Sequence, residues 1–157
     1  MSSRNIQLKT PDDMDLVREM FQEYQDFLNE DLCFQDFNKE LADLPGKYTA
    51  PQGMLLFAYV DDAVAGCVAL RPLDEDGACE MKRLYVRTDF RGLGLGRRLA
   101  ESTINAAMAA GYRCMRLDTL ERLEAAIRLY ESLDFKRSEP YVYNPLGGVT
   151  FWQKDLV

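Results

Sequence analysis

Lys82-Arg83-Leu84-Tyr85-Val86-Arg87-Thr88-Asp89-Phe90-Arg91-Gly92-Leu93-Gly94-Leu95-Gly96-Arg97-Arg98-Leu99 is the stretch on which the reading of this chain turns. It begins as a β-forming run that continues from Cys79, breaks into a glycine turn, and reopens as a helix from Gly94. Glycines at 92, 94 and 96 let the backbone come close to a ligand, and a helix starting there points its free N–H groups and positive dipole end into the turn. Arg87, Arg91, Arg97 and Arg98 add four cations in a chain whose formal charge is −7, a local reversal that marks an anion with several charges. A glycine-rich turn without a ligand is the plain alternative. Two other phosphate loops fail on spacing: a G-x-G-x-x-G fingerprint needs glycine where Arg97 or Leu99 stands, and the P-loop needs a G-K-[ST] ending that the turn lacks.

Upstream, Ile6 and Leu8 alternate with polar neighbours as a short strand, and Thr10-Pro11-Asp12-Asp13 supplies a cap, a first-turn proline and acid for a helix. Val17, Met20, Phe21, Tyr24, Phe27 and Leu28 then recur at helical spacing. A second helix is expected from Phe37 to Leu44, stopped at Pro45-Gly46. Gly53 to Val60 and Ala63 to Leu70 read as a hairpin about Asp61-Asp62, followed by a strand from Cys79 to Arg87. Downstream, Leu95, Leu99, Thr103, Ala106, Ala107 and Ala110 form one helical face ended by Gly111; a strand from Cys114 to Leu117, a helix from Leu123 to Leu133 and two final strands follow. The order β-α-α-β-β-β-α-β-α-β-β predicts an α/β (mixed α+β) fold, a single mixed, mostly antiparallel twisted sheet of seven strands flanked by four helices. The strands on either side of the helix from Gly94 should be parallel through a right-handed crossover.

At 157 residues, 47% hydrophobic and 29% charged, the chain has the profile of one globular domain spanning residues 1–157. The acidic balance argues against nucleic acid as a partner; it suits a cationic substrate, although solubility alone explains it as well. No apolar run reaches membrane-spanning length and Met1 to Pro11 has no signal-peptide character, so a cytoplasmic monomer or homodimer with no membrane partner is expected. Cys33, Cys67, Cys79 and Cys114 are widely spaced and histidine is absent, which leaves no metal site and no Ser-His or Cys-His nucleophile. Cys67, Cys79 and Cys114 sit in apolar runs and read as packed thiols.

The combination Arg91-x-x-Gly94-x-Gly96 after the strand Lys82 to Arg87, with Leu129-Tyr130-Glu131-Ser132-Leu133-Asp134-Phe135 near the end, resembles the Gcn5-related N-acetyltransferase (GNAT) family, whose signatures are [QR]-x-x-G-x-[GA] and L-Y-x-x-x-G-F. The likeness covers nearly the whole chain and implies the acyl-CoA N-acyltransferase fold, acetyl-CoA as acyl-donor substrate and an amine as acceptor, whether a small molecule, an amino acid or a peptide. It implies further that Leu84, Tyr85 and Val86 pair with the pantetheine arm, and that Arg91, Gly92, Leu93, Gly94, Leu95, Gly96 and Arg97 hold the pyrophosphate. Two departures stand out: Leu123 lies where the family often carries asparagine, and Asp134 replaces the usual glycine.

Acyl transfer to an amine needs a route for the amine's proton and a proton for the departing thiolate. Glu80 lies six residues before Val86, similar to where some family members carry a glutamate base. On strict alternation it shares a face with Leu84 and Val86, beside the cofactor, where burial would raise its pKa; the alternative is an exposed strand-edge glutamate. Tyr130 matches the family tyrosine that reaches the coenzyme sulfur as general acid. Taken from periodicity alone, it is a core aromatic in the stripe Leu123, Ala126, Ile127, Tyr130 and Leu133. Cys67 and Cys79 lack the cation a reactive thiolate requires. The segments Asn29 to Pro51 and Tyr141 to Gly148 read as walls of the acceptor site, with Asp26, Glu30, Asp31 and Asp36 as either amine attractors or a solvated face. A catalytically silent coenzyme A sensor on the same fold is the competing function.

Overall fold

The computed structural model of the chain describes residues 4–30, 32 and 36–156. Their backbone forms a seven-stranded sheet in the order β1-β2-β3-β4-β5-β7-β6. The strands are β1 (Ile6–Lys9), β2 (Met54–Val60), β3 (Ala63–Pro72), β4 (Ala78–Val86), β5 (Cys114–Leu120), β6 (Lys136–Arg137) and β7 (Val149–Asp155). Every neighbouring pair is antiparallel except β4 and β5, which are parallel across a helical crossover, as expected. The helices are α1 (Met14–Leu28), α2 (Phe37–Ala42), α3 (Leu95–Ala109) and α4 (Glu124–Ser132).

The sheet is the middle of three layers. On one face Val68, Leu70, Cys79 and Met81 pack with Leu95, Leu99, Ile104 and Tyr130 beneath α3 and α4. On the other, Leu55, Phe57, Cys67 and Ala69 meet Val17, Met20, Phe21, Phe37 and Leu41 from α1 and α2. Cys67 and Cys79 are buried among these side chains, and burial pushes both thiols up to about 12, as packed cysteines should be; Cys33 lies outside the described residues.

Several boundaries differ from the sequence expectation by a residue or more, three of them for a clear local reason. α1 is capped by Asp13, whose side chain accepts from the Asp15 and Leu16 amides, so Thr10 and Pro11 precede the helix. α2 ends at Ala42, and the expected Phe37 to Leu44 helix gives way to a 3-10 turn at Gly46–Tyr48. β5 continues past Leu117 to Leu120 because β7 pairs along its whole length. The hairpin behaves as read, with Asp61 and Asp62 both at positive φ (50° and 69°), the geometry of a type I′ turn.

A bulge in β4 breaks the simple alternation. Cys67 pairs with Tyr85 and Ala69 with Lys82, so Val68 stands opposite two residues, Arg83 and Leu84, and Arg83 takes φ 61°. Cys79 and Met81 face α3 before the bulge, Leu84 and Val86 face it after, and Tyr85 faces α1. Glu80 therefore shares its face with Lys82 and Tyr85 and lies away from Leu84 and Val86, contrary to the alternation. The bulged guanidinium is buried. Arg83 Nε and Nη2 donate to Glu40 at 3.1 and 3.0 Å, and Tyr48 Oη donates to the same carboxylate at 2.8 Å.

Removing the counter-charge of a buried guanidinium costs about 3 to 5 kcal/mol. Glu40→Gln is expected to lower the unfolding free energy from a urea titration by that amount, read as a fall in midpoint with an unchanged m-value. A loss below about 1 kcal/mol would show that the α2 contact does not hold the bulge.

Candidate functional site

β4 and β5 pair over only three positions, Ala78 with Cys114, Cys79 with Met115 and Glu80 with Arg116. Beyond them the strands part, and a cleft of about 700 Å³ opens between Met81–Val86 on one side and Asp118–Leu120 on the other. The glycine turn and the start of α3 close one end of this cleft, α4 forms a wall through Ala125, Ala126, Arg128, Leu129 and Tyr130, and the end of α1 leans over it through Tyr24, Phe27 and Leu28. The backbone groups that β4 and β5 would have exchanged face the gap, so an extended ligand can take the place of a strand there.

The turn is built as an anion cradle. Gly94 caps α3 at φ 74° and Gly92 sits at φ 83°, backbone conformations that L side chains avoid. A Cβ at either position would meet no protein atom within 4 Å, so both backbones face open space. The first helical bond of α3 runs from Arg98 N to Gly94 O, which leaves the amides of Leu95, Gly96 and Arg97 without a helical acceptor. Gly92, Gly94, Leu95 and Gly96 line the cleft; Leu93 and Arg97 do not.

The four arginines expected around the turn separate into different tasks. Arg91 lines the cleft, with Nε on Val86 O at 3.2 Å and its guanidinium over the Phe27 ring at 4.8 Å. Arg87 is drawn to Glu23 of α1 at 2.9 Å, Arg97 reaches Ser132 Oγ at 2.5 Å, and Arg98 does not line the cleft. Arg122 and Arg128 do line it and were missed, because they lie more than twenty residues away in sequence and only the packing of α4 and the loop before it brings them in. On α4, Tyr130 alone is buried, while Ala126, Ile127, Leu129 and Leu133 are half-buried against the core. Leu123, at the family's asparagine position, caps α4 with no side-chain hydrogen bond, and Asp134 adopts the left-handed φ of 69° for which glycine is usual.

Of the two candidate proton-handling groups, Tyr130 lines the cleft with its ring edge-on to Phe135 at 5.7 Å. Burial, with Tyr24 and Asp118 beside it, pushes its pKa above the ordinary tyrosine range, so its hydroxyl keeps its proton. Glu80 is fully buried and does not line the cleft. Arg71 Nε donates to its Oε1 at 2.7 Å, Tyr141 Oη to its Oε2 at 2.6 Å, and Lys82 Nζ lies 4.0 Å from Oε1. Burial alone would raise its pKa, but Lys82, Arg71 and the Tyr141 hydrogen bond outweigh burial and hold it below the usual carboxylate value, correcting the expected upward shift.

The late segment is the other element whose part sequence left vague. Besides the Tyr141 bond to Glu80, Asn144 Nδ2 donates to Asp118 Oδ2 at 3.0 Å while Asn144 Oδ1 accepts from the Leu146 amide at 3.0 Å. A loop without strand structure thus fixes one carboxylate on β4 and another on β5. Asp26, Glu30 and Asp36 do not line the cleft, and Asp31 lies outside the described residues. Among the described residues no group of three or more His, Cys, Asp or Glu could hold a metal ion, and no helix is long and apolar enough to cross a membrane.

With this geometry, the acetyltransferase (GNAT) family matches over residues 14–135. An N-acetyltransferase of Schizosaccharomyces pombe is 42% identical over 160 residues, spanning 99% of this chain and 98% of that protein. The N-acetylaspartate synthetase of Rattus norvegicus is 34% identical over 112 residues, 71% of this chain but 38% of the relative. Among solved structures, an acetyltransferase from Salmonella typhimurium with its cofactor acetyl-CoA superposes with a TM-score of 0.74 at 22% identity, over 97% of this chain and 94% of that one.

Gly94→Val is expected to weaken acetyl-CoA binding by at least about tenfold in a calorimetric titration, because the side chain projects into the ligand's path. The left-handed conformation should add about 1–2 kcal/mol of destabilisation. Unchanged affinity would make the turn purely structural.

Proposed function

The chain belongs to the acetyltransferase (GNAT) family, which transfers acetyl from acetyl-CoA, and from that premise we propose that residues 1–157 form one domain that acetylates the primary amine of a small molecule or amino acid directly, without a covalent enzyme intermediate. The observation that carries this reading is the continuity of the cleft: it runs from the amides at the start of α3, along the free edge of β4, to Tyr130 and a polar chamber holding Lys82 and Asp118. A relative named N-acetylaspartate synthetase supports an amino acid among the acceptors.

In this reading the coenzyme pyrophosphate lies on the amides between Arg91 and Arg97, with Arg91 and Arg128 flanking it. The pantetheine arm runs beside Leu84, Tyr85 and Val86, and the thioester comes to rest near Tyr130. The acceptor ammonium gives one proton to solvent and its neutral nitrogen forms the N–C bond as the carbonyl π pair moves to oxygen; the tetrahedral intermediate then collapses, the C–S bond breaks, the thiolate takes the Tyr130 proton, and the proton released by the new amide nitrogen returns to the Tyr130 oxygen, directly or through water. Tyr130 is suited to donate because its high pKa keeps it protonated throughout the neutral range. Glu80 acts at one remove. It is ionised at neutral pH and stands 4.0 Å from Lys82 Nζ, so its negative charge offsets the Lys82 ammonium that would otherwise repel a cationic acceptor on that side of the cleft.

Tyr130→Phe keeps the ring and its packing while removing the proton donor. Turnover is expected to fall about 10²- to 10⁴-fold with acetyl-CoA affinity unchanged within a few-fold. A fully active variant would make Tyr130 a packing residue. Glu80→Gln is expected to lower turnover near pH 7, and the deficit should shrink as pH rises and more of the amine is already neutral; parallel pH-rate profiles for variant and wild type would remove Glu80 from proton handling.

A further inference from the structure

Two described carboxylates line the cleft, Asp118 on β5 and Glu124 in the first turn of α4. Glu124 is exposed at the wall, whereas Asp118 stands beyond the last shared pair, Glu80 with Arg116, where β4 and β5 have parted. Asp118 Oδ2 accepts from Asn144 Nδ2 at 3.0 Å, and Asn144 is itself pinned by the Leu146 amide on its Oδ1. The other Asp118 oxygen, Oδ1, accepts no hydrogen bond from any described residue. The late loop thus orients this carboxylate and leaves one acceptor for a ligand. After burial, the Asp118 charge is among the causes that raise the Tyr24 and Tyr130 hydroxyls, which places it at the reacting end of the cleft.

The neighbouring cations have counter-charges of their own. Lys82 Nζ lies 4.0 Å from Glu80, Arg83 meets Glu40 at 3.0 Å, and Arg122 lies 3.8 Å from Glu30 at the mouth. The walls around Asp118 are apolar. Leu120, two residues further along β5, shares its side of the sheet. Leu28 at the end of α1, Leu32 beyond it, Leu123 before α4 and Leu146 of the late loop complete the lining together with Tyr24. This end of the cleft therefore offers one oriented negative charge set in hydrocarbon.

An ammonium group that leaves water for such a place needs a counter-charge and a hydrogen-bond acceptor, and Asp118 Oδ1 supplies both. A second charge on the same molecule would meet leucine side chains and lose its hydration without a partner, whereas an alkyl or aryl chain gains by being buried there. We infer that Asp118 is the specificity-determining residue of the acceptor site, that Asn144 positions it, and that the acceptor is a monoamine with an apolar body. The inference rests on the acetyltransferase reading and narrows its small-molecule acceptors. Asp118 fixes the nitrogen rather than activating it. Once the ammonium has lost one proton, a remaining N–H still donates to Oδ1, and the lone pair is left to face the thioester near Tyr130.

The test is thiol release from acetyl-CoA with primary amines that differ in the tail: propylamine through hexylamine, hexamethylenediamine, ε-aminocaproate and leucine. Among the alkylamines kcat/KM is expected to rise about threefold per methylene. Hexylamine should exceed the diamine, ε-aminocaproate and leucine by at least about tenfold. Asp118→Asn should raise KM for hexylamine at least about tenfold, with acetyl-CoA affinity and Tm held. Asn144→Ala should raise the same KM by less, and should add nothing in the Asp118→Asn background, because its effect passes through Asp118. A flat alkylamine series, a preference for the diamine or for an acceptor carrying a carboxylate, or an unchanged KM in Asp118→Asn overturns this acceptor site while leaving acetyl transfer to amines intact. Additive effects of the two substitutions overturn the positioning role of Asn144. Should Asp118→Asn fail to fold, the wild-type series and Asn144→Ala decide the matter. Thiol release with none of these acceptors overturns both the site and the acetyltransferase reading.

Discussion

Two parallel strands that share three residue pairs and then separate impose the constraint on which the rest of this molecule depends. Hydrogen-bonding groups on the facing edges of β4 and β5 lose their natural partners at the point where the sheet would otherwise be most continuous. Such a gap is tolerated only if each strand is held from its far side, as β4 is by β3 and β5 along its whole length by β7. The bulge at Arg83 belongs to the same arrangement: the extra residue bends and twists β4 just beyond the last shared pair, and the buried Arg83–Glu40 pair fastens that bend to α2.

Charge is distributed to match. The face of the sheet under α3 and α4 is almost wholly apolar, whereas the opposite face carries Arg71, Glu80, Lys82 and Arg83 in a row of buried or half-buried charges. Most are neutralised locally, which is what makes so many charges tolerable inside a small protein. The late loop completes the row from outside the sheet, since Tyr141 and Asn144 are the side chains that hold Glu80 and Asp118 in place.

Much of this was legible in the sequence because it depended on local signals. The glycine turn, the Asp61-Asp62 hairpin, the order of elements and the parallel crossover followed from spacing and turn chemistry alone. The two-faced reading of β4 did not: periodicity assumes strict alternation, and a single residue at positive φ, Arg83, reversed it for everything before the bulge and moved Glu80 to the other side. The cap of α1 was misplaced by three residues because Thr10, Asp12 and Asp13 all make plausible caps, and only the packing of Val17 and Met20 selects among them. Arg128 and Asp118 gave no sequence signal of their own, and Asn144 stood out only as part of the segment Tyr141 to Gly148. Their importance arises from contacts between residues 26 or more apart, which no local pattern encodes.

The two ends of the cleft are made of different material. At the α3 end the ligand would meet mostly main chain, whose amides are present whatever side chains drift past them, provided the left-handed turn at Gly92 and Gly94 is kept. At the far end it would meet Lys82, Asp118 and Asn144, where a single substitution changes the chemistry on offer. Descendants of such a chain inherit the donor half almost for free and can diversify the acceptor half through one irregular loop, so a common acyl donor can serve many unrelated amines with the scaffold untouched.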